Sequence, residues 1–312
     1  MLNKNYCHDV SAILVTYNPN VQVLRAAIQA ILNQVSDVFI VDNASSNFPF
    51  DWLDKLEGEA NGKLHLLQQV ENVGIGAAHN IGIKHAIERG AKFVLLLDQD
   101  SQVELDMVVK LRSAYTALNE KDFQVAALGP QYRNAESSIL SQFVKVGFFR
   151  FILCGCEKES TIVDADFLIS SGSLLPVKAL EIVGLMDESL FIDHVDTEWF
   201  FRARSKGLKT FGLCGAVMTH TLGEQQRVVR FWRKLTIPFH KPFRYYYMFR
   251  NSTLLYRRGY MPLSWKFADF AKCLKMVVFF SVVAENRLEI LKMMCLGVID
   301  GLRGRSGKRN NL

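Results

Sequence analysis

Five short apolar runs alternate with longer amphipathic stretches over the first 130 residues, and this alternation restricts the chain to an α/β fold. Strand candidates are Ser11–Tyr17, Val38–Val41, Leu64–Leu67, Phe93–Leu97 and Val125–Leu128. Helical stretches fall near Val21–Asn33, Ile75–Arg89 and Leu105–Leu118. Strands separated by crossover helices predict a mostly parallel sheet with helices on its faces. Ligands of such sheets bind at the carboxyl ends of the strands. Polar residues stand there three times: Asn18 after the first strand, Asp42-Asn43 after the second, and Asp98-Gln99-Asp100 after the fourth. Asn and Asp end many strands as turn formers, but recurrence on three strands favours a ligand crevice.

The fourth run, FVLLLDQDS, carries the strongest chemical signal. Asp98 and Asp100 are two residues apart, so on an extended backbone they project to the same side. Paired carboxylates suit a hard divalent cation, Mg2+ or Mn2+, which in turn holds phosphate oxygens. The segment ENVGIGAAHNIGI places Gly74 and Gly76 at a helix start. A dinucleotide fingerprint belongs after the first strand, where TYNPN has no glycine loop, so a nicotinamide enzyme is excluded. In LFIDHVDTEWFFRARSKG, Asp193, Asp196 and Glu198 precede or open a helix over Thr197–Ser205. Acids there favour a helix N-terminus, and one of them is a candidate general base. His220 follows a strand and is a candidate to complete a metal site with Asp100.

The C-terminal third differs in kind. Residues 202–312 hold 22 of the 37 Lys and Arg but 5 of the 31 Asp and Glu, which points to an anionic partner. Aromatic and basic residues interleave in RFWRK and HKPFRYYYMFRN, but no DNA- or RNA-binding module is recognisable, and a nucleic-acid role is excluded. The apolar stretch Met276–Val283 is too short to span a bilayer. A helix from about Ser264 to Leu296 has three readings, in this order: a membrane-surface face, a packing helix and a dimer contact. The last ten residues, RGRSGKRNNL, are the part expected to lack structure. Six scattered cysteines argue against a zinc ribbon and a secreted disulfide framework. MLNKNYCHDV has no apolar leader, so a reducing, cytoplasmic setting is expected.

VTYNP, VDNAS, ENVGIGAAHNIGI, DQDS and HVDTEWFFR with MTHTLGE behind it occur in an order that resembles family 2 glycosyltransferases of the GT-A fold. DQDS, FLISSGSLL, IDHVDTEW and RYYYMFRN further resemble bacterial rhamnosyltransferases of O-antigen and related polysaccharide assembly. The resemblance implies a GT-A domain over residues 1–225 and a basic, aromatic-rich helical region over 226–312. It implies an inverting transfer of L-rhamnose from dTDP-L-rhamnose to a lipid-linked glycan; the basic C-terminal third, from its own residues, adds the expectation of peripheral contact at the inner face of the plasma membrane. A UDP-hexose donor and a non-catalytic nucleotide-sugar-binding scaffold are the alternatives.

Carried onto this chain, the family roles give Thr16 and Tyr17 the base pocket and Asp42 the base or ribose. Asn72, Gly74 and Asn80 border the nucleotide, Asp98 meets the ribose, and Asp100 binds the metal, joined by His220. The family's base is the second of two acids before a helix. Alignment on Arg202 puts Val195 and Asp196 at those places, so Asp196 is the candidate base and Asp193 the fallback. Ser171, Gly172 and Glu198 fall to the acceptor, and Arg250 to the pyrophosphate.

Overall fold

The computed structural model describes residues 5–60, 62–134, 139–220, 225–230 and 234–310. β1 (Cys7–Thr16), β2 (Val35–Asp42), β3 (Leu64–Gln68) and β4 (Phe93–Asp98) alternate with α1 (Val21–Leu32), α2 (Phe50–Glu59) and α3 (Ile75–Glu88). β5 (Gln102–Val103), α4 (Met107–Asn119) and β6 (Val125–Asn134) follow, then β7 (Phe143–Gly147), β8 (Arg150–Cys154), β9 (Ile162–Ala165) and β10 (Leu174–Pro176). α5 (Val177–Val183), a 3-10 turn at Glu188–Leu190 and α6 (Val195–Ser205) lead to β11 (Lys209–His220), β12 (Gln225–Arg230) and β13 (Lys234–Phe239). Three helices end the chain: α7 (Pro242–Tyr256), α8 (Leu263–Val283) and α9 (Arg287–Leu302).

A nine-stranded sheet runs β3-β2-β1-β4-β10-β6-β11-β5, with β9 beside β11. The first four strands are parallel, and β10 enters antiparallel between β4 and β6. β1 is buried along its apolar run because both sheet faces are covered. Val10, Ala12 and Leu14 pack with Leu24, Ile28 and Leu111 of α1 and α4, while Ile13 and Val15 pack on the other face with Ala78 of α3 and Trp199 of α6. Asn20 caps α1 by accepting from the Gln22 and Val23 amides, and Leu24, Ala27, Ile28 and Ile31 form its buried stripe. The strand order reverses about β1, with β2 and β3 to one side and β4 to the other. The carboxyl ends of β1, β2 and β4 therefore converge on one crevice.

Three expectations are corrected. The helix expected from about Ser264 to Leu296 is two helices, α8 and α9, broken at Ala284, whose backbone is extended. The break lets Phe280, Ala284, Ile290 and Met294 share one cluster with Tyr245 and Phe249 of α7, which a single straight helix could not form. Gly297 and Gly301 of α9 bring it against α7: a Cβ at Gly297 would lie 2.4 Å from the Tyr246 carbonyl oxygen.

The basic tail is built into the structure as far as residue 310. Arg309 pairs with Asp300, Lys308 with Glu71, and the Gly307 carbonyl accepts from Arg250. Lys308, Arg309 and Arg250 are thus paired inside the molecule. Cys156 and Cys214 form a disulfide across Cα atoms 5.7 Å apart, against the expected reduced state, because β9 pairs with β11 and draws the two segments together. Cys7, Cys154, Cys273 and Cys295 are free thiols.

Candidate active site

The crevice is a cavity of about 700 Å³ bounded by strand ends, one acidic loop and the start of α7. On the strand side lie Thr16, Tyr17, Asn43, Asp98 and Asp100, with Asn72 and Gly74 before α3. Thr16 donates to Asp42 at 2.9 Å, and the Ser45 amide and hydroxyl donate to the same carboxylate at 3.0 and 2.5 Å. Asp42 is fully buried and braces the turn, while Asn43 beside it faces the cavity. Asn43 donates to Asn72 at 3.1 Å and accepts from the Val73 amide at 2.8 Å, so the β2 and β3 ends are tied together. The Tyr17 amide donates to Gln99 at 2.8 Å and leaves the ring half exposed at the mouth.

The opposite wall is the segment from Phe191 to Asp196. Phe191, Asp193 and His194 all have φ near +60°, a conformation that non-glycine residues hold only where the surroundings impose it. Asn251 donates to the carbonyls of Leu190, Ile192 and Asp193, and Arg250 also donates to that of Leu190. Ser252 stands 3.1 Å from the His194 ring. Three consecutive α7 residues therefore hold the strained loop. On its other side the Phe191 carbonyl accepts from Ile75 at 2.8 Å, and a Cβ at Gly74 would sit 2.6 Å from that oxygen. Only glycine lets the nucleotide-side turn approach the loop this closely.

Asp196 opens α6 half buried in the cavity wall, accepting from the Thr197 amide at 2.6 Å. Burial raises its carboxyl above the usual carboxylate range, and Asp193 adds to the rise. Asp193 is engaged by Arg244, which donates to its two oxygens at 2.5 and 3.3 Å. Phe243 and Arg244 of α7, with His240 just before that helix, complete the lining.

The fold thus gathers Thr16, Tyr17, Asn72, Gly74, Asp98, Asp100, Asp193 and Asp196 around one space. It places other expected residues elsewhere. Arg250 is 1% exposed and donates to Leu190, Gly307 and Asn251, so its guanidinium braces the loop and cannot clamp a pyrophosphate. Glu198, expected at the acceptor, is fully buried and engaged by Arg202, Arg258 and Tyr260. Asn80 is buried beneath the cavity, donating to Met186 and Glu188 and accepting from the Met186 amide. Ser171 is buried behind β4, 2.5 Å from Ser101, and Gly172 packs against Pro130 and Met218, while Ser170 lines the cavity. The His220 side chain lies outside the described residues.

Ser170, His194, His240 and Arg244 were not singled out from sequence, and Asn43 was read only as a polar strand end without a role. Arg244 lies six residues before Arg250 on the same basic, aromatic helix, so composition could not tell which arginine faces the cavity. Among the described residues no three His, Cys, Asp or Glu side chains cluster into a protein-only metal site. Two strand-end carboxylates facing a cavity fit Mg2+ or Mn2+ of the kind completed by substrate phosphates and water.

The profile of Glycosyl transferase family 2 matches residues 11–174, which spans β1 to the start of β10 and includes both strand-end acids. The chain belongs to glycosyltransferase family 2. This transferase is 32% identical over 301 residues to the dTDP-rhamnosyl transferase RfbF of Shigella flexneri, covering 96% of this chain and 97% of that one. The transferase also resembles the mannosyltransferase PcManGT of Pyrobaculum calidifontis, solved with GDP-Man and Mn2+. The TM-score is 0.57 at 14% identity, covering 96% of this chain and 88% of that one. GalNAc-T7, solved with UDP, GalNAc and Mn2+, gives a TM-score of 0.60 at 12% identity; 91% of this chain matches 59% of that one. These structures share the GT-A fold, a mostly parallel sheet flanked by helices.

Proposed function

We propose that the enzyme transfers L-rhamnose from dTDP-L-rhamnose to a lipid-linked glycan, with inversion at the anomeric carbon. The observation that carries the chemistry is Asp196, a carboxylate of raised pKa in the wall of the cavity that also holds Asp98 and Asp100. The end-to-end similarity to the Shigella flexneri rhamnosyl transferase supports the donor assignment.

In this reading Thr16, Tyr17 and Asn43 receive the base and ribose at the ends of β1 and β2, and Asp98 meets the ribose. Asp100, with Asp98, would hold Mg2+ or Mn2+, which would supply positive charge to offset that of the diphosphate leaving group. Arg244 stands on the α7 side of the cavity and takes the diphosphate role first given to Arg250. The acceptor hydroxyl attacks the anomeric carbon as Asp196 removes its proton. Asp193, held by Arg244, is less suited to that step because its oxygens already accept two charge-assisted hydrogen bonds.

Incubation with dTDP-L-rhamnose, UDP-glucose and UDP-galactose and a panel of lipid-linked acceptors, read by mass spectrometry and by NMR of the new anomeric centre, tests this. Rhamnosylated product of inverted configuration is expected. Transfer from a UDP-hexose alone would overturn the donor, and retained configuration would overturn the single displacement.

A further inference from the structure

We infer that α8 and the β7–β8 hairpin together form a docking surface for an anionic lipid bilayer. Leu263, Phe267, Phe270, Leu274, Val278 and Val282 recur at spacings of three and four along α8, and each is exposed. The buried residues Trp265, Ala268, Asp269 and Phe280 occupy the other side of the helix. At 1.5 Å per residue the exposed stripe is about 28 Å long. A helix packed on a protein core normally turns such a stripe inward. Here a second apolar stripe faces out.

The hairpin extends this surface. Phe148 and Phe149 form its turn and are 68% and 54% exposed. Their rings lie 5.7 and 5.2 Å from that of Phe267, so two elements distant in sequence present one aromatic cluster. Phenylalanine and leucine on such a face insert into the boundary between head groups and acyl chains. Among the described residues no helix is long and apolar enough to cross a membrane, so the contact is one of lying on the surface.

Charge selects the occupant. Arg150 of the hairpin and Lys275 at the margin of the α8 stripe are exposed and positive. The one acid of α8, Asp269, is buried and accepts from Tyr256. A second copy docking the same face in a two-fold dimer would set these cations against their equivalents. An anionic head-group layer meets them with opposite charge. Trp265 of α8 packs edge-on against His194 of the acidic loop at 5.8 Å, which connects the proposed membrane face to the wall of the cavity.

Flotation with phosphatidylcholine vesicles, with and without phosphatidylglycerol, tests the proposal on the full chain in the absence of any sugar donor. The result is therefore independent of the transfer reading. The protein is expected to float with phosphatidylglycerol vesicles and less with phosphatidylcholine alone. Replacing Phe148, Phe270 and Leu274 together by Ser should weaken binding at least about tenfold with the melting temperature unchanged. Arg150→Gln and Lys275→Gln should each weaken binding to the anionic vesicles by about fivefold. Failure of the unsubstituted protein to float, or equal flotation of the serine variant, overturns the proposal. So does a dimer in light scattering that the serine substitutions dissolve while the unsubstituted protein ignores vesicles.

Discussion

The side-chain amide of Asn251 donates to the backbone carbonyl of Asp193 at 2.9 Å, and its nitrogen also lies within hydrogen-bond distance of the Leu190 and Ile192 carbonyls. One side chain of α7 thereby fixes the left-handed backbone that delivers Asp196 to the cavity. Replacing Asn251 by Leu removes these bonds and leaves buried carbonyls unpaired, at a cost of about 1–3 kcal/mol. As a positioning residue, its loss should also lower kcat by about 10- to 100-fold with donor KM little changed. Steady-state kinetics beside a thermal melt will separate the two effects. A lowered melting temperature with unchanged kcat would reduce Asn251 to a packing role.

Asp196→Asn should reduce transfer by about 10²- to 10⁴-fold while donor-induced thermal stabilisation persists. The active form is the carboxylate, so activity falls as pH drops through a pKa that burial has raised. The acidic limb of the pH–rate profile should therefore lie above the usual carboxylate range. If Asp193→Asn abolishes transfer and Asp196→Asn does not, the base is Asp193. If neither substitution lowers transfer, the base is another group.

Asp100→Ala should abolish metal-dependent turnover, and chelation should do the same to the unsubstituted enzyme in a way that added Mg2+ or Mn2+ reverses. Full activity of Asp100→Ala in the presence of chelator would remove the metal from the mechanism.

Arg244 and Arg250 make opposite predictions although both are arginines of α7. Arg244→Ala should weaken dTDP binding about tenfold or more, the scale of a charge-assisted hydrogen bond, with little change in melting temperature. Arg250→Ala should lower the melting temperature, because the guanidinium that braces Leu190, Gly307 and Asn251 is lost. Isothermal titration with dTDP and differential scanning fluorimetry read the two outcomes directly.

His79 of α3 is fully buried with neither ring nitrogen hydrogen-bonded, and burial lowers its pKa to about 4. The unfolded chain binds this proton near pH 6.5 and the folded chain does not, so stability is lost as pH falls from about 6.5 towards 4. The loss attributable to this one residue is on the order of 3 kcal/mol at pH 4. His79→Leu should flatten that part of the stability–pH curve in denaturant titrations. An unchanged slope would show that other groups set it.

The parallel half of the sheet could be read from the chain because its signal is local. A run such as FVLLLDQDS announces a strand buried on both faces, and Asp98 and Asp100 must follow where it ends. The β1, β2 and β4 ends carried Thr16, Tyr17, Asp98 and Asp100 to the cavity by the same logic. The α8–α9 break was less legible, since the apolar pattern crosses it and only packing against α7 needs the reversal.

Side-chain direction within one motif was beyond the sequence. Asp42 and Asn43 are neighbours at the end of β2, yet the first is buried against Thr16 and Ser45 and the second faces the cavity. Arg244 and Arg250 differ in the same way on α7, as do Asp196 and Glu198 on α6. Residue type and order determined the family, the strand-end acids and the candidate base. Which of two like residues meets solvent and which meets a carbonyl was decided by tertiary packing, because a two-residue step on a helix turns a side chain by about 200°. What lies opposite it belongs to a part of the chain that local sequence cannot see.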